Sequence, residues 1–287
     1  MTRPPSNRKP RDDEIDVHGL THIGKVRAEN QDHFLLASIH KRVEVLATNL
    51  EERQRVPFRD DRLAFIAMVA DGVGGADDGA EASATALEVV MQYVNDTMTC
   101  YYDHSASEDT FTQALQRAAM RSHEEIVARC KAHKPDGTSA TTLTLFMGVW
   151  PAYYLLQVGD SRYYQFRDGK LMQKTRDQTV AQDLVDHGVL TVTQAPRTQF
   201  AHVLSSALGA DTATPVVTRL EADWGNVHIL CSDGLTKHVS DEQIAARIAS
   251  MTSAKQVCEQ LLQDALDDGG TDNITIIVGR QVLKGDM

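Results

Sequence analysis

Runs of residues typical of β-strands recur along most of this chain, and two pairs of helix patterns divide them into groups. Apolar residues at helical spacing predict the first pair over 80–98 and 108–131, and the second over 241–250 and 254–267. Two stacked sheets, each covered on its outer face by a helix pair, would bury all these apolar faces. We therefore predict an α+β fold, a four-layer α-β-β-α sandwich with two mainly antiparallel sheets. The predicted strands are 17–24, 33–38, 63–70, 140–149, 153–158, 162–166, 170–173, 215–220, 227–231 and 273–279.

The predicted helices have the start signals and apolar faces of core elements. Ser240 with Gln243, and Ser253 with Gln256, have the spacing of capping boxes at the starts of the second pair. The apolar faces indicate packing against the sheets and not a binding site. These faces are Phe111, Leu115, Ala118, Ser122 and Ile126 along one helix, and Ala254, Val257, Cys258, Leu261, Leu262, Ala265 and Leu266 along another.

The composition fits one domain with short tails. The 287 residues are 42% hydrophobic and 24% charged, which is enough for one sizeable core. We predict a flexible N-terminal tail over 1–16, a single domain over 17–281 and a tail over 282–287. The polar stretch 39–62 is predicted to be a solvated hairpin or loop at a sheet edge. The net charge of −11 argues against a nucleic-acid-binding protein, which needs a basic face.

The sequence indicates a cytoplasmic protein without a membrane span. Its first residues are rich in proline and charge, and they lack the apolar segment of a signal peptide. The uncharged stretch 140–158 is near the length of a spanning helix, but Pro151 interrupts it and threonines alternate with leucines. Two β-strands are therefore the favoured interpretation. The four cysteines lack disulfide or zinc-ligand spacing and are predicted to be reduced thiols.

Three aspartates stand in turns at the ends of apolar strands. Asp71 follows the run 65–70, Asp233 follows 227–231, and Asp272 precedes 274–278. Burying a lone carboxylate at such a position costs free energy unless a cation or a hydrogen-bond donor pairs with it. Carboxylate oxygens without nearby Cys or His select Mg²⁺ or Mn²⁺ over Zn²⁺. The sequence therefore predicts one site for hard divalent metal ions.

The glycine-rich turn after the first of these strands has a second interpretation. Gly72 and Gly74 before a helix resemble a dinucleotide-binding fingerprint, which would make the chain a nucleotide-utilising enzyme. Asp77 occupies the third glycine position, however, and Asp71 would repel a pyrophosphate. The glycines instead allow close backbone approach, so the carbonyl of Gly72 is a candidate metal ligand beside Asp71.

The nucleophile and the phosphate-binding group follow from this metal site. One Asp can bridge two ions about 3.5–4 Å apart, and a water held between them becomes a nucleophile at neutral pH. Consistent with this, the sequence has no G-x-S-x-G, H-E-x-x-H or Walker A motif. Arg27 is the candidate phosphate ligand, because a guanidinium binds two phosphate oxygens at once. A surface charge is its alternative interpretation, and its neighbours Asn30 and Asp32 favour a site.

Seven motifs follow one another along the chain: RAENQD at 27–32, DGVGG at 71–75, GTSATT at 137–142, VGDSR at 158–162, LSSALG at 204–209, SDGL at 232–235 and DN at 272–273. In this order they resemble the motifs of the metal-dependent type 2C Ser/Thr protein phosphatases of the bacterial single-domain type. The resemblance covers about residues 17–280, and the ordered set is far more specific than any one motif.

The resemblance implies a β-sandwich between two helix layers and a role for each matching residue. Asp71 would bridge two metal ions, with the carbonyl of Gly72 on one ion and Asp233 and Asp272 on the other. Asp160 with Asp233 would form a third, weaker metal site.

The resemblance also implies the residues that handle the substrate. Arg27 would hold the substrate phosphate, and Asp32 would orient the metal-bound water. Residues 175–199 match the flap that lies beside the catalytic cleft in this family. Their apolar residues have ordinary helix packing as an alternative interpretation: Leu184, Val185 and Leu190.

Two positions depart from the family pattern. Val73 stands where some relatives carry a His thought to protonate the leaving group, and valine transfers no proton. Gln31 stands where some relatives have a Glu metal ligand, so one ion would be more hydrated here. His22 and His33 lie nearest the predicted site, and each is interpreted as an exposed or hydrogen-bonded histidine without a catalytic role.

The resulting hypothesis is a Mn²⁺- or Mg²⁺-dependent phosphatase that removes phosphate from Ser and Thr of proteins, using a metal-bridging water. It would hold two ions, with a third more weakly bound. Its partners would be phosphorylated proteins, opposite a Ser/Thr kinase, and we expect a monomer. The alternative is a non-catalytic phosphoprotein-binding or sensor domain on the same fold, and Val73 is its support.

Overall fold

The computed structural model describes residues 8–41, 61–74, 76–97, 108–134 and 137–284. Cys100, Gly75 and most of the polar stretch 39–62 lie outside these ranges. The strands are β1 Ile15–His22, β2 Asp32–Lys41, β3 Asp61–Gly74, β4 Ser139–Thr141, β5 Leu143–Val149, β6 Ala152–Val158, β7 Arg162–Arg167, β8 Lys170–Gln173, β9 Val216–Glu221, β10 Val227–Cys231 and β11 Ile274–Gln281. The helices are α1 Ala76–Thr97, α2 Glu108–His133, α3 Val180–Asp186, α4 Asp233–Thr236, α5 Asp241–Ala249 and α6 Ala254–Asp267.

The strands form two antiparallel sheets. One has five strands in the order β1-β11-β10-β7-β8, so the first and last strands of the described chain lie side by side. The other has the order β2-β3-β5-β6-β9, with β4 paired to the end of β3. Each sheet therefore contains strands that are distant in sequence.

Alternating side chains place each strand between two apolar layers. On β3, Met68 packs toward the helices α1 and α2, whereas Ala67 and Val69 face the other sheet. On β11, Ile276 packs toward α5 and α6, and Ile277 packs into the layer between the sheets. Because successive side chains of a strand point to opposite faces, each sheet has one side that faces helices and one side that faces the other sheet. The predicted four-layer fold is confirmed.

The helix faces predicted from periodicity form the outer core layers. All five residues predicted on the α2 face are buried. On α6 the predicted face is buried except for Leu262 and Leu266, which are partly buried against the same cluster. The capping box at Ser240 and Gln243 is present. Ser253 accepts from the amide of Gln256, but the Gln256 side chain accepts from Thr252 instead of closing a box.

The uncharged stretch 140–158 forms strands, as predicted. It forms the end of β4 and all of β5 and β6, and the last two pair as a hairpin. Among the described residues, no helix combines the length and the apolar character needed to cross a membrane. Cys130, Cys231 and Cys258 are free thiols, as predicted.

The N-terminal segment has more structure than the predicted flexible tail, 1–16. Strand β1 begins at Ile15, and the buried carboxylate of Glu14 pairs with Arg8 at 2.7 Å. Arg8 also lies over the ring of Trp224, whose Nε1 donates to the Arg8 carbonyl at 2.8 Å. Residues 8–16 therefore pack on the domain, because Arg8 pairs with Glu14 and also contacts Trp224, which is remote in sequence.

Candidate active site

Asp32 and Asp71 lie opposite each other where β2 and β3 pair. Directly paired residues of antiparallel strands have their Cβ atoms about 4.5–5.5 Å apart on the same face. Asp71 continues the alternation of Ala67 and Val69, so this face is the one toward the other sheet. The pairing therefore puts two carboxylates side by side at one end of the layer between the sheets.

Asp32 is held by hydroxyl groups from the opposite sheet. Its Oδ2 accepts from Ser232 Oγ at 2.6 Å and from Thr275 Oγ1 at 2.8 Å. Burial raises the pKa of Asp32 to about 6, although these two hydrogen bonds lower it, and the charges of Asp233 and Asp272 raise it further. Ser232 and Thr275 thus fix the orientation of the Asp32 carboxylate.

Asp233 and Asp272 come from the five-stranded sheet and share one ammonium group. Asp233 begins α4 directly after β10, and Asp272 lies just before β11. The Nζ atom of Lys237 lies 2.6 Å from an oxygen of each. Arg27 approaches Asp272 from the other side, with Nε 2.7 Å from Oδ1 and Nη2 2.9 Å from Oδ2. Burial acts to raise the pKa of Asp272, but the bonds from Arg27 and Lys237 outweigh it and hold that pKa below its usual range.

Asp160 completes the group from the turn between β6 and β7. It is buried, and burial followed by the charges of Asp233 and Asp177 raises its pKa to about 7. For Asp71, burial again raises the pKa most, and the charges of Asp32, Asp233, Asp160 and Asp272 each raise it further. The structure therefore brings together the five carboxylates of what we call the carboxylate cluster: Asp32, Asp71, Asp160, Asp233 and Asp272.

The donors of the carboxylate cluster fit a hard divalent cation. Asp32 Oδ1 and Asp233 Oδ1 are buried and, among the described residues, have no hydrogen-bond partner. Buried carboxylate oxygens without a hydrogen-bond partner cost desolvation free energy, and Mg²⁺ and Mn²⁺ prefer carboxylate oxygens as ligands. In the part of the chain described, no three His, Cys, Asp or Glu side chains stand close enough to enclose an ion without moving. Lys237 and Arg27 instead neutralise part of the negative charge through their ion pairs with Asp272.

The glycines beside the cluster permit close backbone packing. A Cβ added to Gly72 would collide with the carbonyl of Gly79 on α1, and one added to Gly234 would collide with the carbonyl of Asn273. Gly72 also donates its amide to Gln31 at 3.2 Å. The first approach packs the end of β3, which carries Asp71, against α1, and the second packs the segment of Asp233 against that of Asp272. The metal-ligand role of the Gly72 carbonyl stays a prediction.

Sequence reasoning missed the residues that support the cluster. Asn273 donates to the carbonyls of Ile23 and Glu29, both at 2.9 Å, and accepts from the amide of Gln31 at 2.8 Å. It therefore holds the loop containing Arg27 against the start of β11. Its position next to Asp272 in the DN motif was an available signal. Lys237 could also have been found, because it lies four residues after Asp233 in a helical turn.

The two histidines near the site have other partners. His22 Nδ1 accepts from the amide of Gly24 at 2.9 Å, and His33 Nδ1 lies 2.9 Å from Ser83 Oγ. Both are therefore hydrogen-bonded histidines, and their lack of a catalytic role stays a prediction. Val73, at the position of the missing histidine, is 44% exposed.

The predicted flap, 175–199, lies along a cleft of about 780 Å³ beside the cluster. Its helix α3 starts at Thr179, whose side chain accepts from the amide of Gln182. Arg162 pairs with Asp177 at 2.7 Å and fixes the base of the flap. Residues from both sides of the cleft include Asp160, Arg176, Gln182, Pro196, His202, Asp233 and Lys237.

Comparison with known proteins agrees with this architecture. The chain is 33% identical over 216 residues to the serine/threonine protein phosphatase PstP of Mycobacterium tuberculosis, covering 75% of this chain and 40% of PstP. It is 27% identical over 214 residues to the serine/threonine phosphatase stp of Listeria monocytogenes, covering 74% of this chain and 83% of stp.

A solved structure of the PstP catalytic domain in complex with two manganese ions superposes with a TM-score of 0.70. Its sequence is 28% identical, and the match covers 94% of this chain and 99% of that domain. Residues 56–268 match the family model described as protein phosphatase 2C, which is more than half of the chain. Together with the fold and the ordered motifs, this match shows that the chain belongs to the protein phosphatase 2C family.

Proposed function

We propose that this chain is a metal-dependent protein phosphatase that hydrolyses phosphoserine and phosphothreonine. The observation that carries the proposal is the convergence of five carboxylates, from both sheets, beside an open cleft. Related chains are named serine/threonine protein phosphatases, and one was crystallised with two manganese ions.

The carboxylate cluster would hold two Mn²⁺ or Mg²⁺ ions. We assign Asp71 and the Gly72 carbonyl, with Asp233 and Asp272, as their ligands, and Asp160 with Asp233 as a third, weaker site. When bound, such ions supply Lewis acidity and lower the pKa of a water that attacks the phosphorus atom.

The chain's own residues position the reactants. Ser232 and Thr275 occupy Oδ2 of Asp32, so its free Oδ1 is directed to accept a hydrogen bond from the attacking water. The Arg27 side chain is 54% exposed at the rim, which lets its guanidinium turn from Asp272 to a substrate phosphate. Val73 cannot supply the proton for the leaving group, so we assign that proton to solvent in the cleft.

The proposal includes the biological setting. The substrates would be phosphorylated proteins that lie in the cleft beside the flap, and a Ser/Thr kinase would produce them. The open cleft, lined by both polar and apolar side chains, suits an extended peptide more than a small apolar molecule. We propose a cytoplasmic monomer.

Hydrolysis assays on the purified protein test the proposal. Phosphothreonine peptide and p-nitrophenyl phosphate are incubated with Mn²⁺, with Mg²⁺, or with EDTA. We expect metal-dependent release of phosphate from both substrates. Binding of the phosphopeptide without turnover in any metal would favour the sensor alternative. Tight ATP or NAD binding in equilibrium dialysis would favour the nucleotide-utilising enzyme.

A further inference from the structure

One cation of this chain occupies a position between two assigned metal ligands. Lys237 Nζ lies 2.6 Å from Asp233 Oδ2 and 2.6 Å from Asp272 Oδ2. Its side chain is 22% exposed, so the ammonium is largely removed from water and lies at the edge of the cluster formed by Asp233 and Asp272. A divalent ion bound to the same two oxygens would have to share this space with a positive charge.

The backbone delivers Lys237 to this place. Asp233 begins the short helix α4, and the side chain four residues later returns to the same helix face. The amide of Lys237 also donates to the carbonyl of Asp233 at 2.9 Å, which closes the turn. The contact therefore follows from local helix geometry and from the adjacent position of Asp272.

The electrostatics of the cluster give this contact a function. Five carboxylates close together repel one another, and a permanent cation among them reduces the repulsion when no metal is present. The same cation repels an incoming divalent ion, because like charges at a few ångströms interact strongly in a partly buried site. Metal binding at Asp233 and Asp272 then requires the ammonium to move away.

We propose that Lys237 is an internal counter-ion that competes with a divalent metal ion for Asp233 and Asp272. It keeps the metal-free site assembled and lowers the affinity for one of the two metal ions. This inference rests on the proposed function, because it takes Asp233 and Asp272 as metal ligands.

The test compares metal binding and metal-free stability, both independent of turnover. Mn²⁺ is titrated calorimetrically into the full chain after removal of metal, and thermal unfolding is measured without metal. Lys237→Met, which removes the charge, should bind the weaker Mn²⁺ about tenfold more tightly. The same variant should melt several degrees lower without metal, since Asp233 then loses its ion pair and Asp272 keeps the one with Arg27. Lys237→Arg keeps the charge and should stay near the wild type in both measurements.

Controls separate this inference from the proposed function. Lys255→Met is the matched control, because Lys255 also faces an acid four residues away, Glu259 at 3.7 Å, and should change neither measurement. Unchanged Mn²⁺ affinity in Lys237→Met overturns the inference, whatever its melting temperature. Lys237→Gln, which retains a donor to the carboxylates, provides the same comparison if Lys237→Met does not fold. If Asp272→Asn loses Mn²⁺ while Lys237→Met binds like the wild type, only the counter-ion role is wrong. If the wild type binds no Mn²⁺, the proposed function fails and this inference fails with it.

Discussion

The layer between the two sheets has opposite chemistry at its two ends. One end holds the carboxylate cluster, where burial raises the pKa of Asp71, Asp160 and Asp32. The other holds what we call the aromatic cluster, Phe146, Tyr153, Tyr163 and His228, where burial lowers the pKa of His228 to about 4. Burial favours the neutral form at both ends. The first end also gathers negative charges on five carboxylates, which is an arrangement that a cation relieves.

The aromatic cluster is held by hydrogen bonds and ring packing, without the repulsion between carboxylates found at the other end. Tyr163 Oη lies 2.6 Å from His228 Nδ1, and the rings of Tyr153 and His228 pack edge to face with centroids 5.2 Å apart. The rings of Phe146 and Tyr163 are stacked, with their centroids 5.8 Å apart. Such contacts stabilise a fold. Under the proposed function, the aromatic cluster supplies stability, and the carboxylate cluster supplies the catalytic site at the expense of stability.

Replacing a carboxylate should give the largest effect on activity. Asp71→Asn should lower kcat/KM with Mn²⁺ on the order of a thousandfold, since it removes the assigned bridging ligand. Its metal-free stability should equal or exceed that of the wild type, because one of the crowded charges is gone. Phosphopeptide hydrolysis and thermal unfolding measure the two effects. Asp168→Asn is the control, because Asp168 is an exposed turn residue at φ 50 that Asn also tolerates. Wild-type turnover in Asp71→Asn at saturating Mn²⁺ would refute the bridging role.

The aromatic cluster should show the reverse pattern. Phe146→Ala should cost about 3–5 kcal/mol of unfolding free energy, because it leaves a cavity among buried rings. Turnover per folded molecule and its Mn²⁺ dependence should be unchanged. Urea unfolding and active-site titration check this, with the exposed Val216→Ala as control. A selective loss of Mn²⁺ dependence without loss of stability would contradict the division between the two ends.

His228 should make the aromatic cluster sensitive to acid. Its folded pKa of about 4 lies below the ordinary value of 6.5, so the unfolded chain binds the proton first as pH falls. The corresponding stability is complete above about pH 6.5 and is lost toward pH 4, and the loss at pH 5 is about 2 kcal/mol. His228→Gln should therefore lose less stability between pH 7 and pH 5 than the wild type by about that amount. Urea unfolding at both pH values measures the difference, and parallel losses in the two proteins would exclude the role of His228.

Arg27 should give the smallest of these effects. Arg27→Ala should mainly raise KM for the phosphopeptide, about tenfold, because a charged hydrogen-bond donor to phosphate is lost. Arg219→Ala is the matched control, since Arg219 is a surface arginine 3.6 Å from Glu108. Steady-state kinetics separate KM from kcat. An unaltered KM would show that Arg27 is a surface charge and not a phosphate ligand.

The elements with strong local patterns were predicted to the residue. Helix 254–267 and strands 170–173 and 227–231 have their observed bounds, because a polar start or a turn marks each end. Strand β3 extends beyond 63–70 because pairing with β2 and β4 continues into its glycines. Hydrogen bonds between strands that are distant in sequence cannot be predicted from the local pattern of residues.

Site residues could be found from the sequence where a charge interrupts an apolar pattern. Asp71, Asp233 and Asp272 are anomalous where they stand, as charges at the ends of apolar strands. Ser232 and Thr275 look ordinary, and only the docking of the two sheets brings them to Asp32. The contact between Arg8 and Trp224 was hidden for the same reason, since the two residues are 216 positions apart.

The hydrogen bond between Thr275 and Asp32 joins residues 243 positions apart. A site built on such a contact forms late, because chain-closure entropy delays pairings of large sequence separation. The proposed phosphatase activity should therefore appear only when nearly the whole domain has emerged from the ribosome and both sheets have docked. Recovery of turnover during refolding would then report the final step of assembly and not the earlier formation of helices.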